Sequence, residues 1–179
     1  MKRPLLRSGL LALALASCVG CDQAAKAIAR GALEFSPPLA LLGGALRLQY
    51  AENPGAFLSL GANLPAEARF LLGIVFVGAT LAALLVFTFR SADLSLGQRT
   101  GLALILSGGL GNLIDRVVNH GHVIDFLIVK IGPLHTGIFN VADVAITAGV
   151  LTAVLSWREA ITPPASPAPS PSPSAPPAP

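Results

Sequence analysis

Four apolar runs, each long enough to cross a bilayer, constrain this chain more than any other feature. They cover about residues 5–29, 68–89, 100–118 and 139–157 of a 179-residue sequence. A helix needs about 20 apolar residues to span a hydrocarbon core. Only 12% of the residues are charged and 53% are hydrophobic, against about a quarter charged in soluble domains. So few charges cannot coat a soluble globule, whereas lipid meets apolar surface directly and forces the backbone to satisfy itself within helices. The expected fold is an all-α membrane protein with four transmembrane helices.

The basic residues set the expected orientation. Lys2, Arg3 and Arg7 precede the first run, Arg90 and Arg99 lie between the second and third, and Arg158 follows the fourth. With four crossings these six share one side, which the positive-inside rule makes cytoplasmic. Arg47, Arg69 and Lys130 fall opposite. Both termini are therefore expected in the cytoplasm. The net charge of +3 and pI of about 9.3 form no basic stripe, and the 6% aromatic residues make no stacking platform, so nucleic-acid binding is excluded. Cys18 and Cys21 have no second pair to hold a metal and read as small buried apolar residues.

Between the first two runs, residues 33–65 lie outside. Ala45-Leu46-Arg47-Leu48-Gln49-Tyr50 alternates with a period of two, as a strand does, and Asn53-Pro54-Gly55 signals a turn. A small β-rich extracytoplasmic cradle is expected there. The Pro, Ala and Ser of residues 163–179 have nothing to pack and predict a disordered, Pro-rich C-terminal tail. The division is a membrane domain over residues 1–160 and a tail over 161–179.

An ionisable group within a span is expensive unless paired or facing a polar cavity, so each is a functional candidate. Asp22 and Lys26 are four apart, the acid first, which is the favourable order for an ion pair on one helix face; by itself this pair reads as structural. The third run ends Gly108-Gly109-Leu110-Gly111-Asn112-Leu113-Ile114-Asp115-Arg116. Its glycines permit close helix approach, and Asn112 lies one turn from both Asp115 and Arg116. Asp125 follows in Val123-Ile124-Asp125-Phe126, and Asp143 in Phe139-Asn140-Val141-Ala142-Asp143. Neither has a basic neighbour in sequence. Two unpaired aspartates at one depth are costly as structure, which favours use.

Neighbouring carboxylates cannot both ionise easily, so one keeps a proton while the other acts as base. Such a pair activates water against a carbonyl and protonates the departing amine. Other chemistries fit less well. No His-Glu-x-x-His pattern exists, and His120, His122 and His135 fall in one outer loop, so no metal or cofactor is expected. Ser107 has no histidine within a span to act as its base.

Asp22-Gln23-x-x-Lys26, Asn53-x-Gly55-Ala56, Gly108-Gly109-x-Gly111-Asn112-x-x-Asp115-Arg116, Val123-x-Asp125-Phe126 and Phe139-Asn140-x-Ala142-Asp143 occur in this order. Together with four spans they resemble the lipoprotein signal peptidases (signal peptidase II), over about residues 5–157. The resemblance implies an aspartic peptidase of the bacterial inner membrane that cuts just before a diacylglyceryl-modified cysteine of a prolipoprotein; a monomer is expected. It implies Asp125 and Asp143 as the catalytic pair. Asn112, Arg116 and Asn140 match residues lining the site, and Asp22, Lys26, Asn53, Gly108, Asp115 and Ala142 match binding or supporting positions. Where the family commonly shows Asn-x-Gly-Ala-Ala and an aromatic, this chain reads Asn53-Pro54-Gly55-Ala56-Phe57, one small residue shorter.

Two other readings come from different classes. Leu15-Ala16-Ser17-Cys18 after a basic start resembles a lipobox, which would make the chain a lipoprotein itself; but a signal peptide is followed by soluble sequence rather than three more spans. Intramembrane carboxylates also serve transporters or lipid-binding proteins, although no internal repeat of the transporter kind is present.

Overall fold

The computed structural model describes residues 2–55 and 61–161. Helix α1 covers Lys2–Leu33, and β1 (Leu39–Leu41) and β2 (Leu46–Asn53) follow. Next come α2 (Ala66–Arg90), α3 (Leu96–Val118), β3 (Val123–Ile131), β4 (Leu134–His135) and α4 (Val141–Ile161). All four helices are long and apolar enough to cross a membrane. The second span and the strand at residues 45–50 fall where the sequence places them, while α1 continues to Leu33 and α3 begins at Leu96. The expected tail lies outside the described residues, as do Ala56 and Phe57.

Helix α3 is the hub. Of its span 44% is buried inside the protein, against 17%, 6% and 22% for α1, α2 and α4. Glycines explain this. A Cβ at Gly108 would strike the carbonyl of Ala142 on α4, one at Gly109 would meet Leu81 of α2, and one at Gly111 would meet the Asp22 carboxylate of α1. Three neighbouring positions thus admit three different helices to backbone contact, the small-residue packing that works where lipid removes the hydrophobic drive between helices. On the lipid side large apolar residues are exposed, among them Phe70, Phe76, Phe89 and Leu155. Ser95 starts α3 with a capping box, its hydroxyl accepting from Gln98 N while the Gln98 side chain accepts from Ser95 N.

The Cys pair departs from expectation. Cys18 is half-buried and Cys21 exposed on α1. Asp22, Lys26 and Ala29 occupy the buried face, and the helical period turns position 21 toward lipid.

One antiparallel sheet, in the order β1-β2-β3-β4, closes the end of the bundle where α1 and α3 finish and α2 and α4 begin. Strand β3 occupies the segment that the sequence predicts as an outer loop. Its nine residues, Val-Ile-Asp-Phe-Leu-Ile-Val-Lys-Ile, carry the β-branched and aromatic enrichment of a strand. The register matters for the site. Leu46 pairs with Val129 and Leu48 with Leu127, but Ala51 pairs with Asp125 and Asn53 with Val123, an irregularity of one residue between Leu48 and Ala51. Side chains alternate faces, so one extra residue reverses the phase. Without it Asn53 would face away from Asp125.

Candidate active site

Beneath the sheet, three helices and two strands converge on buried polar side chains. Lys26 is 1% exposed. Its ammonium reaches Asp22 Oδ2 at 2.8 Å and Asp115 Oδ2 at 2.9 Å, and donates to Asn112 Oδ1 at 2.9 Å. Its three N–H groups therefore all have acceptors. The i,i+4 pair read from sequence is present, and Asp115 joins it. Both carboxylates also hold backbone: Asp22 Oδ1 accepts from Ala142 N at 2.8 Å and Asp115 Oδ2 from Ile124 N at 3.1 Å. The cluster thus pins the starts of α4 and β3, the two elements that carry Asp143 and Asp125.

Asn140 and Asp143 form a reciprocal cap on α4. Asp143 N donates to Asn140 Oδ1 at 3.0 Å, and Asn140 N donates to Asp143 Oδ2 at 3.2 Å. This is capping-box logic with Asp in the third helical position. Phe139 locks the same junction to β3: its N donates to Leu127 O, and its carbonyl accepts from Phe126 N and Leu127 N. The cap is thereby delivered beside Asp125. Asn140, fully buried, donates its Nδ2 to Asp125 Oδ1 at 2.7 Å.

One asparagine therefore contacts both candidate aspartates. The outer oxygens are held by two more amides: Asn53 Nδ2 donates to Asp125 Oδ2 at 2.9 Å and Asn112 Nδ2 to Asp143 Oδ1 at 2.9 Å. Among the described residues neither Asp125 nor Asp143 forms an ion pair. Burial pushes the Asp125 carboxyl up to about 6; the Asn53 hydrogen bond opposes this and the nearby Asp143 charge adds to it. That combination of desolvation and a like-charge neighbour leaves a carboxyl able to hold or give up a proton near neutral pH.

Arg116 takes a different direction from Asn112 and Asp115, although all three share one end of α3. Its Nη1 donates to Asn112 O at 3.2 Å and its Nη2 to Gly55 O at 2.9 Å, so it ties the turn after Asn53 to the helix. Its stem crosses Gly73, where a Cβ would come within 3.2 Å, in a stretch of α2 (Leu71–Phe76) wound as a π-helix. Gly108 and Ala142 contribute through backbone, since the Ala142 carbonyl occupies the space beside Gly108.

Gln23 stands in the first motif beside Asp22. It donates to Asp115 Oδ1 at 2.9 Å and to Gly111 O at 3.2 Å, next to the ion cluster. Its position one residue after Asp22 and three before Lys26 was the available signal, because i,i+3 neighbours share a helix face.

The sequence matches the family model for signal peptidase (SPase) II over residues 14–158. It is 35% identical to the lipoprotein signal peptidase of Syntrophus aciditrophicus over 158 residues, 87% of this chain and 94% of the relative. It is 38% identical to that of Moorella thermoacetica over 159 residues, covering 87% and 91%. Two solved structures of a bacterial membrane enzyme superpose with TM-scores of 0.73 and 0.72. They share 26% and 28% identity, over 84% and 83% of this chain and 88% and 92% of theirs. With the match running through all four spans and the whole polar cluster, the chain belongs to the signal peptidase II family.

Proposed function

We propose that the protein removes signal peptides from prolipoproteins by aspartic catalysis, with Asp125 and Asp143 as the pair, within a peptidase domain of residues 1–160. The observation that carries this reading is Asn140, which bonds both carboxylates while neither forms an ion pair among the described residues. A structural role would favour paired charges, as Lys26 provides for Asp22 and Asp115. The substrate class follows the curated relatives, which are lipoprotein signal peptidases. In keeping with the family resemblance, the scissile bond precedes the diacylglyceryl-modified cysteine.

At rest the pair shares one proton, and the form that cleaves carries it on Asp125. Asp143 takes a proton from a water as its oxygen attacks the scissile carbonyl. The tetrahedral intermediate collapses as Asp125 gives its proton to the nitrogen of the cysteine, which leaves as a free amine, and the signal peptide departs with a new carboxylate. Asn112 and Asn140 fix the two carboxylates, and Arg116 and Asn53 hold the Gly55 turn against the substrate backbone. The enzyme is a monomer in the inner membrane with both termini cytoplasmic, so the sheet faces outward and meets precursors after export.

The test is turnover of a diacylglyceryl-modified precursor by purified protein. Asp125→Asn and Asp143→Asn should each lose at least about three orders of magnitude, and the double variant should be little worse, because members of a catalytic unit fail together. Both should insert and melt normally, an amide being cheaper to bury than a carboxylate. Near wild-type cleavage by Asp125→Asn would overturn the assignment and make Asp115 with Asp143 the pair to test.

A further inference from the structure

A second cavity opens between the first turn of α2 and the last turns of α3, at the sheet end of the bundle. It has a volume of about 300 Å³ and is lined by Ala66, Arg69, Phe70, Ile74, Arg116, Val117, His120 and Gly121, which puts it at the lower end of small-ligand pockets. Its charge is one-sided, with two guanidiniums, an imidazole and no acid.

Among the described residues the Arg69 Nε is buried without a hydrogen-bond partner, and Arg69 forms no ion pair there. A buried charged donor left unsatisfied is expensive. Arg116 uses two of its five N–H groups, on Asn112 O and Gly55 O. His120 closes the far wall from a left-handed backbone (φ 53°), in the position after the Asn119 cap where Gly121 N bonds back to Arg116 O at 2.8 Å. Glycine is the usual residue there, so an imidazole is held at the cavity rim where the fold alone favours none.

We infer that this cavity binds a phosphate-class oxyanion, and that its source is the headgroup of an anionic phospholipid. Planar guanidinium forks match phosphate oxygens. Depth selects the source. Helix α2 has 25 residues and is therefore about 37 Å long, against about 30 Å of hydrocarbon. Its first turn emerges among the lipid phosphates, with Phe70 exposed beside Arg69 to lie along an acyl chain. The inference stands on the cavity and does not depend on the peptidase reading.

The experiment is native mass spectrometry of the full-length protein, delipidated in detergent and titrated with dioleoylphosphatidylglycerol, dioleoylphosphatidylcholine or inorganic phosphate. Wild type should retain phosphatidylglycerol at least about fivefold better than phosphatidylcholine. Arg69→Gln and His120→Gly should each abolish that preference; the glycine variant relieves the left-handed strain, so loss there cannot be ascribed to misfolding. Arg69→Lys should keep part of it. If millimolar inorganic phosphate displaces the lipid from wild type but not from Arg69→Gln, the oxyanion site holds and soluble phosphate becomes a second source. Equal phosphatidylglycerol retention by wild type and Arg69→Gln would refute the site.

Discussion

Replacing Lys26 by methionine should be among the most damaging single changes in this protein. Methionine nearly preserves the stem but removes an ammonium with three partners at 2.8–2.9 Å. Asp22 and Asp115, 2% and 3% exposed, would then face each other's charge with only backbone and Gln23 donors remaining. Breaking a buried ion pair by removing one partner costs about 3–5 kcal/mol, a large share of the roughly 5–15 kcal/mol that holds a domain. In a chain of this size that is a melting shift of roughly 6–20 °C, to be read by thermal unfolding in detergent micelles. Asp115→Asn should cost less, about 1–3 kcal/mol, because the Lys26–Asp22 pair survives. The triple variant Lys26→Met, Asp22→Asn, Asp115→Asn should recover much of the loss, since no charge of this cluster is then left buried. A Lys26→Met protein melting within about 2 °C of wild type, or a triple variant no better than the single, would refute the idea that this cluster holds the starts of α4 and β3 in place.

Four further outcomes are expected. The Asp125 proton is present below and lost above its raised value of about 6, so kcat/KM should fall as pH rises through that region; Asn53→Ala removes a bond that lowers the value, and the alkaline limb should move to higher pH in stopped-time cleavage assays. Stability present below the ordinary carboxyl value of 3.8 is lost as pH rises to the raised value of about 6, so Asp125→Asn should melt no lower than wild type at pH 8. Gly108→Ala places a methyl on the Ala142 carbonyl and should cost at least about 1–3 kcal/mol through overpacking, with lower yield in membranes and a lower melting point. Finally, in a cysteine-free background, a cysteine at Asn63 should react with an impermeant thiol reagent in intact spheroplasts while one at Ser95 should not; the opposite labelling would invert the proposed topology.

Much of the protein was legible in local pattern. Span lengths follow from runs of apolar residues, because lipid imposes the same demand on every helix regardless of its neighbours. The Asp22–Lys26 pair was readable for a similar reason: helix geometry fixes which residues three and four apart can meet. The tertiary structure decided what lies between elements. Nothing local says that Lys26 also takes Asp115, that Asp22 caps α4 through Ala142, or that Asn112 and Arg116, one turn apart, serve different partners. Strand β3 had a visible composition, but its role depends on β2, and a one-residue irregularity between Leu48 and Ala51 turns Asn53 to the face of Asp125. Such bonds join groups as far apart as 120 residues in sequence. Their existence rests on which surfaces the packed helices bring within about 3 Å, a property of the assembled fold rather than of any segment.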